Sequence, residues 1–328
     1  MLSFDDFAGQ SAHIAQLHSD FASHAFVHAY LFTGPKGTGK KSVARLCAMA
    51  ALCRGEGKRP CGACGPCRRV LAGTHPDVHT VEPEAGKQRI GVDVLRGVIE
   101  EVSVRAFEDG VKALIFPEAE RMTPQAQNCL LKTLEEPPED TVFFLITDQP
   151  AALLPTIVSR CRTVRFHPLS IPDAAARLRA LGLTAEDARR RARMAEGCVG
   201  QALAIDEAAM TLREQLTRDV FSVRRAADVL PALAPYKDAK EQRALILDTL
   251  ECAVRDIMMA QAGRMTLEDA GYAPQADAYA RAVPLSGGLK LSAAVTRARQ
   301  MVESNVSFAD AFESILLTLT EEYTRWPW

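Results

Sequence analysis

The sequence lacks three features that would each indicate a particular class of protein. Its 328 residues contain no apolar run approaching the roughly 20 residues needed to cross a membrane. Residues 1–6 are acidic and carry no signal-peptide core. The formal net charge is −2, so no overall basic field indicates nucleic acid binding. We therefore expect a cytoplasmic protein with no membrane partner, whose contacts with DNA are local or shared with other proteins.

The composition is that of an ordinary globular protein, with 48% hydrophobic and 24% charged residues. The length suffices for two or three domains, and there is no internal repeat or low-complexity tract. Cysteine is the exception. The chain has nine cysteines, and four of them lie within residues 53–67. In a reducing compartment, such a cluster indicates a metal site before it indicates disulfides.

Short apolar segments alternate with helical periodicity over residues 1–168. The apolar pattern predicts strands at 29–32, 78–81, 112–116, 142–147 and 163–166. Strands that are almost entirely apolar and alternate with helices predict a parallel sheet covered by helices on both faces. After Pro168 the strand pattern stops. Residues 169–209 are typical of a bundle of short helices, and residues 210–328 are also helical in pattern.

Residues 34–42, Gly-Pro-Lys-Gly-Thr-Gly-Lys-Lys-Ser, follow the first strand and begin a helix, as in a phosphate-binding P-loop. The glycines let several backbone N–H groups face one anion, and Lys40 would reach the outer phosphates. The Ser or Thr that holds Mg²⁺ is replaced by Lys41, and Ser42 comes one place, about 100° of helix, too late. The candidate nucleotide-binding residues of this degenerate loop are Gly34, Gly37, Thr38, Gly39, Lys40, Lys41 and Ser42.

A second departure from the pattern of a P-loop ATPase also concerns Mg²⁺. An active P-loop ATPase ends a neighbouring strand on Asp, often Asp-Glu, for Mg²⁺ and for the attacking water. Here Pro117 takes the place of the Asp, and Glu118 has no metal-organising neighbour. Glu118 is open to two interpretations, a catalytic base or a solvated acid. Because Lys41 and Pro117 both remove support for Mg²⁺, we do not expect Mg²⁺, and we expect ATP binding to be weak or absent.

Cys53, Cys61, Cys64 and Cys67 predict a structural Zn²⁺ site. Each Cys-x-x-Cys lets two thiolates turn onto one ion, and four thiolates satisfy tetrahedral zinc without an open position for catalysis. Five basic residues in the segment would offset the resulting charge of −2; they are Arg54, Lys58, Arg59, Arg68 and Arg69. An iron–sulfur cluster is the alternative, although position 71, where a ferredoxin-type run would continue, is Leu.

Arg160 lies in the triplet Ser-Arg-Cys just before the last predicted strand. A lone arginine is usually solvated surface. At the end of a P-loop domain it could instead be an arginine finger that projects into the phosphate site of a neighbouring subunit. The spacing alone leaves both interpretations open.

Four segments together match a known family. They are residues 28–40, the four-cysteine insert, Leu-Leu-Lys-Thr-Leu-Glu-Glu-Pro-Pro at 130–138, and Leu-Pro-Thr-Ile-Val-Ser-Arg-Cys at 154–161. On these residues the chain resembles the δ′ subunits of bacterial DNA polymerase III clamp loaders, which are AAA+ proteins. The resemblance is dense over residues 1–168, continues through 196–203, and thins beyond about residue 210.

The resemblance implies an AAA+ domain at 1–168 with a zinc module at 53–67, a helical lid at 169–209, and a helical collar for oligomerisation at 210–328. It implies partners: the γ/τ ATPase subunits, the δ subunit and, transiently, the β sliding clamp and primer-template DNA. Arg160 would then complete the ATP site of an adjacent γ/τ subunit. The chain would be a non-hydrolysing part of the DNA-directed DNA polymerase, a nucleotidyltransferase complex.

The family's sensor positions differ here as well. Gly200 stands where the family's sensor-2 motif has arginine, and near sensor 1 the acid Asp148 stands where an uncharged polar residue would suit a phosphate better. Two rival functions remain: a self-sufficient ATPase that uses Lys40 and Glu118, and a zinc-dependent DNA-binding module.

Overall fold

The computed structural model describes residues 3–103, 110–239, 242–264, 266–267, 272 and 274–325. The chain divides into two compact units. The first is Met1–Leu181 with Ala195–Ala202, and the second is Gly182–Met194 with Leu203–Trp328. The finer division into a lid at 169–209 and a collar at 210–328 stays a prediction.

The first unit contains a five-stranded sheet in the order β2-β3-β4-β1-β5. The strands are β1 Ala29–Thr33, β2 Val78–Thr80, β3 Lys112–Phe116, β4 Thr141–Thr147 and β5 Arg162–Arg165. All neighbouring strands are parallel, and Leu31 of β1 is paired with Leu145 on one side and with Thr163 on the other. The parallel sheet is confirmed, and each predicted strand lies within one residue of its observed bounds.

The helices of the chain fall between and after these strands. They are α1 Ser11–Ala22, α2 Lys40–Leu52, α3 Gly65–Ala72, α4 Val92–Ser103, α5 Pro124–Glu135, α6 Pro155–Val158, α7 Ile171–Ala180, α8 Ala185–Met194, α9 Val199–Ala204, α10 Glu207–Val220, α11 Ala226–Leu233, α12 Arg243–Gln261, α13 Pro274–Ala282, α14 Leu285–Glu303 and α15 Phe308–Arg325. Short 3₁₀ turns cover Phe4–Gln10, Ala119–Arg121 and Pro150–Ala152.

The sheet is buried on both faces because alternate residues of its strands enter two different apolar clusters. Tyr30 and Phe32 of β1 pack in one cluster with residues of α1 and α2. Leu31, between them, packs in the other with residues of α4 and α5. Period-two alternation thus divides one strand between two cores. The predicted helices on both faces of the sheet are therefore confirmed.

The edge formed by the carboxyl ends of the strands gathers the candidate site residues. Gly34 follows β1, Pro117 follows β3, and Asp148 follows β4. Because parallel strands end at one edge of their sheet, ligands of open α/β folds bind there. The fold therefore places the glycine-rich loop beside both of the positions that an ATPase would use for Mg²⁺ and phosphate.

Every regular element among the described residues of the second unit is a helix, as the pattern predicts. Its core is a continuous cluster of buried side chains that includes Leu250 and Phe312. The ring of Phe312 stacks on Phe308 at 5.9 Å between centroids and meets Tyr236 edge-on at 5.7 Å. Within the described part of the chain, no helix combines the length and the apolar character required to cross a membrane.

We expect Phe312→Ala to destabilise the second unit by about 3–5 kcal/mol, because it removes a fully buried ring and leaves a cavity. Leu317→Ala on the same helix is the matched control. Its side chain is exposed, so its effect should stay within about 0.5 kcal/mol. Urea unfolding followed by far-ultraviolet circular dichroism measures both, and equal effects would contradict the assignment of Phe312 to the core.

Candidate functional site

The loop between β1 and α2 has the backbone of a phosphate-binding loop. Gly34, Gly37 and Gly39 have φ values of 137°, 78° and 91°, which favour glycine because a Cβ would be strained there. Gly39 is also the residue from which α2 begins. The predicted sequence of strand, glycine-rich loop and helix is therefore present.

Lys40, the predicted phosphate ligand, is bound to its own loop. Its side chain is buried, and Nζ donates hydrogen bonds to the carbonyl oxygens of Gly34 at 2.5 Å and Pro35 at 2.7 Å. Burial lowers the pKa of Lys40, and the charge of Asp148 partly opposes that shift. A phosphate at this ammonium would have to compete with two short charge-assisted hydrogen bonds.

The start of α9 lies directly against the loop. The backbone N–H of Gly200 donates to the carbonyl oxygen of Gly37 at 2.8 Å. A Cβ at Gly200 would lie 2.9 Å from Gly37 Cα, and a Cβ at Gly37 would lie 2.5 Å from the Gln201 nitrogen. This Gly37–Gly200 contact requires glycine on both sides, which gives a physical reason why position 200 cannot hold an arginine in this conformation.

Two aromatic residues that the sequence did not indicate also contact the loop. The ring of Phe7, in the first 3₁₀ turn, lies so close to Gly39 that a Cβ there would approach it to 2.5 Å. The carbonyl of Phe166, just after β5, occupies the space where a Cβ of Gly34 would stand. Both residues lie far from the loop in the chain, and only the fold brings them to it.

The acids at the strand ends pair with basic side chains. Glu118 lies 2.9 Å from Arg121 Nε and 3.6 Å from Lys36 Nζ, and Asp148 lies 4.0 Å from the same Lys36 nitrogen. Two cations beside Glu118 favour the solvated-acid interpretation over a catalytic base.

The other polar candidates of the loop are placed as follows. Lys41, in the position of the metal-binding hydroxyl, is ion-paired with Glu82 at 3.1 Å. The hydroxyl of Thr38 donates to the carbonyl of Pro35 at 2.9 Å. Ser42 is half-buried in the first turn of α2.

The four predicted metal ligands converge. The sulfur atoms of Cys53, Cys61, Cys64 and Cys67 all lie within 4.8 Å of one another. Four thiolates at 2.3 Å from a single tetrahedral ion would be about 3.8 Å apart. A cluster of several irons spreads its ligands over different metal atoms, so the spacing favours one ion. The cysteine cluster could therefore hold zinc.

Backbone N–H groups donate hydrogen bonds to the sulfur atoms of this cluster and affect the pKa of its thiols. The N–H of Cys64 donates to Cys61 Sγ at 3.3 Å, and the N–H of Cys61 donates to Cys53 Sγ at 3.3 Å. The Cys64 amide, followed by the amide of Ala63, lowers the pKa of Cys61 to about 6. Burial instead raises the pKa of Cys67. Because thiolates are the form that binds metal, the preorganised amides assist ligation at Cys61.

The cysteine module packs against the amino-terminal elements of the same unit. His18 donates from Nε2 to the carbonyl of Arg59 at 2.7 Å, and the Arg59 guanidinium donates to His24 Nε2 at 2.8 Å. Lys58 is ion-paired with Asp5 at 2.6 Å. The basic residues of the module thus hold it to α1 and to the first 3₁₀ turn, as expected of a structural element.

Arg160 lies just after α6, with its side chain 36% exposed. One terminal nitrogen donates to the carbonyl of Thr156 at 3.1 Å, and the other to Glu135 Oε1 at 2.5 Å. The adjacent Cys161 behaves differently, because burial raises the pKa of its thiol to about 12. Within this triplet, Ser159 and Arg160 are exposed and Cys161 is half-buried.

A glycine-rich loop after the first of five parallel strands, with helices on both faces of the sheet, defines a P-loop type of α/β domain, and a four-cysteine segment is inserted in it. Residues 9–170 match the family model described as DNA polymerase III, delta subunit.

The curated relatives are also subunits of DNA polymerase III. The chain is 43% identical over 153 residues to DNA polymerase III subunit delta' of Bacillus subtilis, covering 47% of this chain and 46% of that protein. The corresponding Escherichia coli subunit is 39% identical over 180 residues, 54% of each chain. The tau subunit of Bacillus subtilis is 36% identical over 168 residues, 51% of this chain and 29% of tau. The match thus spans about half the length of the δ′ relatives. The resemblance to δ′ subunits is confirmed over the amino-terminal half of the chain.

We expect the purified chain to contain about one zinc ion, since four convergent thiolates complete a tetrahedral shell. Cys61→Ser should lose most of this zinc and make residues 53–67 sensitive to proteolysis, because ligand removal couples to local folding. Cys129→Ser, outside the cluster, is the matched control and should keep the zinc. Elemental analysis with limited proteolysis measures both. Iron accompanied by visible absorbance would instead establish an iron–sulfur cluster.

Proposed function

We propose that this chain is a clamp-loader subunit of the δ′ type that hydrolyses no ATP itself and supplies Arg160 to the ATP site of a neighbouring ATPase subunit. The observation that carries the proposal is a contrast between two cations. Lys40 is buried and bound to its own loop, whereas Arg160 is exposed at the end of the same domain.

The contacts around the loop support the absence of hydrolysis. The ammonium of Lys40 is satisfied by carbonyl oxygens, and the Gly37–Gly200 contact holds α9 against the loop where the family's sensor arginine would approach a phosphate. Lys41 and Pro117 supply neither the hydroxyl nor the carboxylate that Mg²⁺ requires. Without the metal, little remains to stabilise charge on a transferring phosphoryl group. Any ATP binding should be weak.

The position of Arg160 supports action in trans. A guanidinium stabilises the charge that develops on phosphate oxygens during transfer. Arg160 is exposed and lies in the turn just after α6, where its guanidinium donates to the Thr156 carbonyl and to Glu135, so its direction is defined. It is therefore suited to meet an ATP site presented by another subunit.

The proposed partners follow from the family. They are the γ/τ ATPase subunits and the δ subunit, with the β clamp and primer-template DNA bound transiently. Similarity to tau over half of the chain supports a shared architecture in one assembly. In this proposal, residues 169–209 form the lid, residues 210–328 form the collar, and the zinc module stabilises the first unit.

We expect Arg160→Ala to fold and assemble normally and to lower the DNA- and clamp-stimulated ATPase of the reconstituted loader by about tenfold or more. Arginine fingers contribute ~10³–10⁵ in related phosphoryl transfers, and this one would serve one site among several. Arg165→Ala is the matched control, because it removes another exposed arginine of the same segment.

Steady-state ATP hydrolysis by the assembled complex is the measurement for both variants. Unchanged turnover in a fully assembled Arg160→Ala complex would refute the arginine-finger role. Equal losses in the Arg160 and Arg165 variants would point to a general charge effect instead.

We expect the isolated chain to hydrolyse no ATP above background in the presence of Mg²⁺, because the metal lacks its protein ligands. Lys40→Ala is the control and should give the same background. Phosphate release measures this directly. Mg²⁺-dependent hydrolysis that Lys40→Ala abolishes would establish the rival function of a self-sufficient ATPase.

A further inference from the structure

We propose that Glu135 is a positioning residue for Arg160: its carboxylate sets the direction in which the guanidinium is presented to the neighbouring ATP site. The inference rests on the proposed function of Arg160 and adds to it a second residue, which lies in the matching segment 130–138 but to which the sequence alone assigns no role. The observation behind it is a short ion pair of 2.5 Å between Arg160 and Glu135 Oε1.

The guanidinium is held at both ends. One terminal nitrogen donates to the Thr156 carbonyl at 3.1 Å and the other to Glu135 at 2.5 Å. Two acceptors on different elements fix the plane of the group, which a single contact would leave free to rotate. Arginine has five N–H donors, and these two bonds use two of them. The remaining three N–H groups can still face a phosphate.

Glu135 has a defined position because α5 is tied to the segment that carries Arg160. The helix begins at the N-cap Thr123, whose hydroxyl accepts from Ala126, and it ends at Glu135, before the prolines at 137–138. Near its start, the buried Gln127 bridges the two elements. It donates to the Ala152 carbonyl at 3.1 Å and accepts from the Leu154 N–H at 2.8 Å.

The bridge by Gln127 and the pair made by Glu135 hold the two elements together at opposite ends of α5. The Gln127 bridge therefore holds α5 beside the segment that carries Arg160, and the helix places Glu135 within reach of the guanidinium.

Stability does not explain the pair. Both side chains are exposed, Arg160 by 36% and Glu135 by 51%, and exposed ion pairs add little to folding stability. The orientation of the guanidinium can have a much larger effect on the reaction rate, because misplacing a catalytic group by about 1 Å can cost ~10²-fold in rate. A contact that is nearly neutral for folding can therefore matter for the reaction in the neighbouring subunit.

The test compares variants in the reconstituted loader with its ATPase subunits, the δ subunit, the β clamp and primed DNA. We expect Glu135→Ala to lower kcat for ATP by about tenfold, with KM little changed, because presentation of the finger and not nucleotide binding is affected. Glu135→Gln should keep most of the activity, since its amide oxygen still accepts from Arg160. The matched control is Glu136→Ala, which removes an exposed neighbouring glutamate.

A double variant distinguishes positioning of Arg160 by Glu135 from an effect of Glu135 on turnover that does not involve Arg160. In a background of Arg160→Ala, adding Glu135→Ala should cause no further loss, because Glu135 acts only through Arg160. Glu135→Asp, which retracts the carboxylate by one methylene, gives a second comparison with Glu135→Gln if the alanine variant assembles poorly. We expect the glutamine variant to be the more active of the two.

The outcomes distinguish the inference from the function on which it rests. If Arg160→Ala lowers turnover but Glu135→Ala does not, the positioning role of Glu135 is wrong, and the proposed role of Arg160 as an arginine finger is retained. A rise in turnover for Glu135→Ala would show that Glu135 restrains the finger, which also overturns the proposal. If Arg160→Ala itself has no effect, the proposed function fails and the inference fails with it.

Discussion

The parallel pairing of β1 between β4 and β5 is the constraint on which the rest of the first unit depends. Because β1 has a strand on each side and an apolar cluster on each face, the position of its carboxyl end is determined from four directions. The glycine-rich loop starts there. Asp148 follows β4 and Arg160 precedes β5, so these features of the candidate site are attached to β1 and to the two strands that flank it.

The loop combines the backbone of a phosphate site with contacts that use that backbone for packing. Three glycines of the loop have positive φ. Because they have no side chain, either a phosphate or another segment of the chain can lie close to their backbone. The Gly37–Gly200 contact and the carbonyl ligands of Lys40 are of this kind. Lys41, Pro117 and Gly200 each differ from the residue expected in an active P-loop ATPase. All three differences agree with a loop whose contacts support the fold.

Electrostatic environment separates the basic residues into three groups. Lys40 is buried and its pKa is lowered by burial. Lys58 and Arg59 attach the cysteine module to the amino-terminal elements. Arg160 is exposed and held by a carboxylate and a carbonyl. A lysine and an arginine are not interchangeable in these roles, because only the planar guanidinium can be held at both ends and still present free donors.

The linear sequence was sufficient for the parallel sheet with its helices and for the identity of the candidate groups. Nearly continuous apolar runs that alternate with helices predicted all five strands and their parallel arrangement, since such runs are a direct consequence of burial on both faces. The Cys-x-x-Cys spacing predicted that Cys53, Cys61, Cys64 and Cys67 converge, because ligand spacing is a local property. The motif around residues 34–42 located the loop, and substitutions at single positions indicated its loss of metal support.

Only the tertiary structure determined what these groups contact. The approach of Phe7 and Gly200 to the loop joins residues that are distant in the chain, and no local periodicity encodes such a meeting. Whether Glu118 faces a metal or Lys36, and whether Arg160 is free or held by Glu135, likewise depends on distances across the fold. Burial and hydrogen bonding are properties of the assembled chain, so the sequence determined which chemical groups are present, and the fold determined which of them are already bound to one another.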